Sequence, residues 1–135
     1  METQRALRPI DELSSVVLAE AIAIHREFGP GLFESVYEAV LAGRLRKHGL
    51  QVERQVQIKA VFDGEMYDPA FRIDLLVDNR LVIEIKAVER LSKAHAKQLL
   101  TYIRLLKQPV GLLLNFSEAT RKDGIRRVVN DYKPE

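Results

Sequence analysis

The chain has 135 residues, 47% hydrophobic and 30% charged with a formal net charge of +2, which excludes disordered and fibrous classes. It contains no cysteine, which excludes a disulfide framework, a thiolate zinc site and a cysteine nucleophile. No stretch approaches the ~20 apolar residues of a membrane helix, and Met1 to Asp11 lacks a signal-peptide apolar core, so a soluble cytoplasmic protein with one domain over residues 1–135 is expected.

Apolar residues at Leu13, Val16, Val17, Ala21, Ile24 and Phe28 recur at helical spacing and predict a helix from Ile10 to Phe28. Gly29-Pro30-Gly31 breaks it. A second helix is expected from about Phe33 to His48, closed by Gly49. Val52 to Phe62 alternates and predicts a strand, with Val56, Ile58, Ala60 and Phe62 on one face. After the Asp63-Gly64 turn come two more strands, Phe71 to Val77 and Leu81 to Lys86, joined by Asp78-Asn79-Arg80. Ser92 caps a third helix that ends near Lys107, before Gln108-Pro109. Val110 to Asn115 is a compact apolar strand of the buried type, and Ile125 to Val129 fits a last edge strand better than a short helix. This order of helix, helix, three-strand meander, helix and strand predicts an α/β fold with a mixed sheet (α+β in character) rather than a doubly wound one.

Charge is unevenly spread. Residues 86–107 carry a local excess of +5, from Lys86, Arg90, Lys93, Lys97, Arg104 and Lys107 against Glu89. Residues 121–133 add +3, with Arg121, Lys122, Arg126, Arg127 and Lys133 as the cations, which leaves −6 on the rest. Such polarity suits a polyanionic partner, although for Lys93, Lys97 and Arg104 a solvated helix face is the preferred reading.

The meander places acids together. Alternation puts Glu84 and Lys86 on one face of their strand and Asp74 with Arg72 and Leu76 on one face of theirs. A three-residue loop at Asp78-Asn79-Arg80 pairs Val77 with Leu81 and sets Asp74 directly opposite Glu84; a two-residue loop would separate them. Asp78 and Asn79 tolerate the backbone angles of the longer loop, so the opposed register is expected. Two facing carboxylates repel, and magnesium, which uses one or two carboxylates plus waters and phosphate oxygens, is a natural counter-ion. A lysine beside them can orient or deprotonate a water, or stabilise charge on phosphorus. A surface ion-pair cluster of Asp74, Glu84 and Lys86 is the plain alternative.

At about 100° per residue, Glu34 falls in the arc between Leu41 and Leu45 with Tyr37 beside it, an acid on the face expected to be buried. In the third helix, His95, Gln98 and Tyr102 lie within or at the edge of the arc of Leu99, Ile103 and Leu106. Polar groups inside an apolar stripe suggest a lined site. His25 and His48 have no ligand-like spacing.

The run Gly31-Leu-Phe-Glu34-Ser-Val-Tyr37 resembles the signature of the GxxExxY family, a branch of the PD-(D/E)XK nuclease superfamily. Phe71-Arg-Ile-Asp74, then Val82-Ile-Glu84-Ile-Lys86, is similar to that superfamily's Asp and Glu-x-Lys motifs, with Ile73 where a proline is common. The segments His95 to Tyr102 and Gly111 to Phe116 are similar to those that follow them. The resemblance implies a restriction-endonuclease-like core of order αβββαβ with an extra N-terminal helix. It implies Glu34, Asp74 and Glu84 as ligands of magnesium or manganese, Lys86 as the catalytic lysine and Gln98 as an auxiliary residue. Arg72, Tyr37, His95 and Tyr102 would line the site. The expected activity is metal-dependent hydrolysis of phosphodiester bonds in nucleic acid, DNA before RNA. A two-fold homodimer would suit action on duplex, with the oligomeric state left open. The other reading is a non-catalytic nucleic-acid-binding or partner-docking module on the same fold.

Overall fold

The computed structural model describes residues 8–117 and 123–131, so Arg121, Lys122 and Lys133 of the late basic segment lie outside the described residues. Among these residues run α1 (Ile10–Phe28), α2 (Glu34–Lys47), β1 (Val52–Phe62), β2 (Glu65–Val77), β3 (Leu81–Lys86), α3 (Lys93–Leu105), β4 (Val110–Asn115) and β5 (Ile125–Val129). After α1 this is the αβββαβ order, with β5 added. The strands form one sheet in the order β1-β2-β3-β4-β5. β3 and β4 are parallel, because α3 carries the chain back between them, and all other neighbours are antiparallel.

Local chemistry explains most boundaries. Asp63 and Gly64 both have positive φ, 51° and 77°, as a tight primed turn between twisted strands needs. That turn pairs Phe62 with Glu65, so β2 begins six residues before the expected Phe71. Ser92 caps α3 as expected, and His95 completes a capping box in place of the usual Glu or Gln. Asp78 and Asn79 adopt left-handed angles of 50° and 55°, and the three-residue loop they make pairs Val77 with Leu81.

The sheet is covered on both faces. On one side α1 and α2 pack Leu13, Val17, Ala21, Ile24, Tyr37, Leu41 and Leu45 against Leu75, Ile83, Ile85, Leu112 and Leu114. On the other side α3 packs Leu99 and Ile103 against Ile73, Val82 and Leu113. Strict alternation would put Ile73 with Leu75, yet the two lie in opposite layers. The reversal sits opposite Gln55, which lies between the pairs Arg54–Leu75 and Val56–Ile73 and has a left-handed φ of 54°. Phe28, expected inward, is 48% exposed and lies under the Arg44 guanidinium. Among the described residues no helix is long and apolar enough to cross a membrane.

The fit of α3 to the sheet depends on Gly111 in β4. A Cβ there would lie 2.9 Å from Leu99 Cδ1 and 3.0 Å from Ile103 Cγ2. Gly111→Val is therefore expected to lower stability by about 1–3 kcal/mol through overpacking, measured by urea unfolding. An unchanged midpoint would contradict this close helix–sheet approach.

Candidate metal centre

The site begins where β2 and β3 stop exchanging backbone hydrogen bonds. Their ladder runs from Val77–Leu81 to Leu75–Ile83, and the next opposed pair in that register is Asp74 and Glu84. There side chains take over: the Asp74 amide donates to Glu84 Oε1 at 3.1 Å, and the Ile85 amide donates to Asp74 Oδ2 at 2.7 Å. Each carboxylate is thus fixed by the other strand's backbone, with lone pairs left over. The splayed strands hold two acids that would otherwise repel.

Glu84 is 5% exposed, whereas Asp74 is half-buried. Burial first, and the neighbouring Asp74 charge second, push the Glu84 carboxyl from an ordinary 4.5 up to about 8. The Asp74 amide and Lys86 pull the other way, so Lys86 is close enough for its charge to be felt. Alternation along β3 carries Glu84 to the side of Val82, where α3 packs. Tyr102 of α3 stacks on Phe71 with centroids 4.4 Å apart. Burial and then the charges of Glu84 and Asp74 push its hydroxyl up, while Arg72 opposes them.

On the α2 side a cleft of about 550 Å³ opens in front of Asp74, lined also by Phe33, Glu34, Ser35, Glu38, Gln55, Arg72 and Ile85. Glu34, expected on the buried face, is exposed: as the first residue of α2 it lies beyond the core, at the cleft mouth. Its Oε1 accepts the Ala87 amide at 3.1 Å, which ties the start of α2 to the end of β3 beside Lys86.

The buried acid of α2 is Glu38, one turn later and 4% exposed. It is paired with Arg54 at 2.9 Å and hydrogen-bonded by the Gln55 carboxamide, which also reaches Asp74 Oδ1 at 3.4 Å. A buried carboxylate needs such donors, and Glu38 links the cleft wall to Asp74 through them. The helical arithmetic that selected Glu34 also puts Glu38 next to Leu45, so the signal was in the sequence.

Tyr37 does not line the cleft. It is fully buried, stacked on Phe116 with centroids 4.5 Å apart. Its hydroxyl donates to the Gly29 carbonyl and accepts the Leu32 amide at 3.2 Å. Gly31, Glu34 and Tyr37 therefore act together locally: glycine makes the turn at φ 111°, and tyrosine staples the loop that delivers the acid. His95 is occupied with capping, its Nδ1 accepting the Ser92 amide at 3.0 Å. Gln98, expected in the inward stripe, is exposed and outside the residues lining the cleft.

Behind Lys86, the buried Asn115 accepts the Val88 amide at 3.0 Å and donates to the Val88 carbonyl at 2.8 Å, fixing the chain that leaves β3. Among the described residues every buried side-chain nitrogen or oxygen has a hydrogen-bond partner, and no three acids or histidines are gathered closely enough to hold an ion alone. What is gathered is a pair, Asp74 and Glu84, with hard oxygen donors facing one another. Such a donor set suits an ion that keeps waters and takes further oxygens from a substrate.

A family model described as the PD-(D/E)XK nuclease superfamily matches residues 11–128. The mixed sheet with α1 and α2 on one face and α3 on the other is consistent with a restriction-endonuclease-like fold. A solved structure described as "Crystal structure of SSO0001" is similar at 18% identity and a TM-score of 0.41, covering 90% of this chain and 79% of that one. No curated protein matches.

Proposed function

The chain belongs to the PD-(D/E)XK nuclease superfamily, and from that premise we propose that it hydrolyses phosphodiester bonds of nucleic acid, DNA before RNA, with a divalent metal. Gly31, Glu34 and Tyr37 support placing it in the GxxExxY branch. The observation that carries the reading is the opposed pair of Asp74 and Glu84, anchored across splayed strands, with Lys86 on the same face of β3 as Glu84.

Asp74 and Glu84 would hold magnesium or manganese, with Glu34 at the cleft mouth reaching the site through water. The ion supplies Lewis-acid polarisation of a phosphoryl oxygen. Lys86 orients a water for attack on phosphorus and stabilises the negative charge that builds on the phosphoryl oxygens as the P–O bond to the leaving group breaks. Arg72, exposed in the cleft, attracts the phosphate backbone. Gln55, held by Glu38, keeps Asp74 oriented. Tyr102 walls the acid pair on the α3 side.

Titration of manganese into the protein by calorimetry, with cleavage of DNA and RNA followed in parallel, tests this. Asp74→Asn is expected to weaken metal binding by about tenfold or more and to stop cleavage. Identical metal binding by both proteins would remove the main support for catalysis. A non-catalytic module is the reading favoured by the lack of a complete three-acid cage among the described residues, and metal-independent binding without turnover would establish it.

A further inference from the structure

Phe33 is 82% exposed, more than any other large hydrophobic side chain among the described residues. It lines the cleft together with Asp74, Arg72 and Glu34. Nor is it loosely held. Its carbonyl accepts the Val36 amide at 3.0 Å at the start of α2. The loop before it is stapled by the buried Tyr37 hydroxyl through Gly29 and Leu32. The residue after it, Glu34, is tied to the Ala87 amide. An apolar ring carried on backbone that is fixed on both sides, and left in water beside a charged cleft, is placed in advance for a flat apolar ligand.

We propose that Phe33 is a base-stacking platform and that the cleft takes single-stranded or unpaired nucleic acid in preference to intact duplex. This rests on the nuclease reading of the acid pair and narrows its substrate. A strand whose phosphate lies at Arg72 has its bases beside the lip of the same cleft, where the ring stands. In a duplex each base is already stacked on its neighbours and gains little from another ring. An unpaired base offers an open face, and stacking on an aromatic side chain is tolerant of sequence. Arg72 and Phe33 put a cation and an aromatic in one cleft, whose other charged residues are the acids Glu34, Glu38 and Asp74, so strand binding is expected to strengthen when a divalent ion offsets them.

The test measures fluorescence anisotropy of a labelled single-stranded DNA oligonucleotide and of its blunt duplex, with calcium as the divalent ion, against wild type, Phe33→Ala and Phe33→Trp. Cleavage of both substrates with manganese is measured alongside. Wild type is expected to favour the single strand. Phe33→Ala should lose about tenfold or more on the single strand with little change on duplex, and Phe33→Trp should keep the preference. Both variants change an exposed side chain, and circular dichroism checks their fold. Equal affinities for the two substrates, or equal losses on both, would overturn the stacking role while leaving metal-dependent cleavage intact as a separate result. A change of oligomeric state in Phe33→Ala without a change in DNA affinity would assign the ring to a protein interface and overturn the proposal. Failure of wild type to bind or cut any nucleic acid would overturn the nuclease reading itself.

Discussion

Lys86→Ala is expected to lower metal-dependent phosphodiester cleavage by roughly 10²–10⁴-fold while the protein stays folded and still binds manganese. Lys86 is the last residue of β3, half-buried, opposite Asn115 of β4, and its carbonyl accepts the Phe116 amide at 3.0 Å. Those backbone contacts survive truncation of the side chain, so the loss falls on chemistry rather than on the sheet. What disappears is the ammonium whose field reaches Glu84. Without it nothing at that position orients the attacking water or offsets charge on the phosphoryl oxygens. Lys86→Arg keeps the charge but not the compact, proton-exchanging ammonium, and should recover binding of the strand more than rate. Single-turnover cleavage with saturating manganese separates these terms. Cleavage by Lys86→Ala within about tenfold of wild type would remove the lysine from the mechanism.

The second large effect concerns pH. In the metal-free protein Glu84 keeps its proton up to about pH 8, whereas the unfolded chain releases it near 4.5. Between those values the folded state binds more protons than the unfolded one, so Glu84 makes the protein less stable as pH rises. The loss is complete above about pH 8 and amounts to about 3–5 kcal/mol. Glu84→Gln removes the titrating group while keeping an acceptor for the Asp74 amide. Urea unfolding in chelator should therefore show the variant gaining on wild type as pH climbs from 5 to 8 (window from the stated shift). Metal binding requires the ionised carboxylate, so manganese affinity of wild type should rise by up to about tenfold per pH unit through the same window and release a proton. A stability difference between wild type and Glu84→Gln that does not change with pH would show that Glu84 is ionised in the fold throughout.

Most of the architecture was legible because it is written in local chemistry. Apolar spacing marked α1, Ser92 marked the start of α3, and the run Val110 to Asn115 marked a buried strand. The opposition of Asp74 and Glu84 was legible too. Only Asp78 and Asn79 had to accept left-handed angles for the register to follow, and they do. The polar residues on helices were harder. Glu34 and Glu38 share one helical arc, and which of them is buried depends on how far the sheet extends under α2. The sheet covers Glu38, where Arg54 and Gln55 of β1 meet it, and leaves Glu34 at the rim. Gln98 and His95 likewise lie near the apolar arc of α3 but toward its exposed first turns, with His95 drawn into the cap. The face reversal at Gln55 left no mark, since glutamine is an uncommon residue at a left-handed φ.

By itself, then, the sequence determined the order of elements, the turn that sets the acids opposite one another, and the spacing that brings Lys86 after Glu84. Those depend on backbone periods and on the φ preferences of single residues, which act over a few positions. The tertiary structure alone decided which acid is buried and which stands at the cleft mouth. It decided that Tyr37 staples a loop instead of lining a site, and that Phe33 is left in water beside Asp74. Those depend on where a distant strand ends beneath a helix, because burial is a property of neighbours and not of the residue.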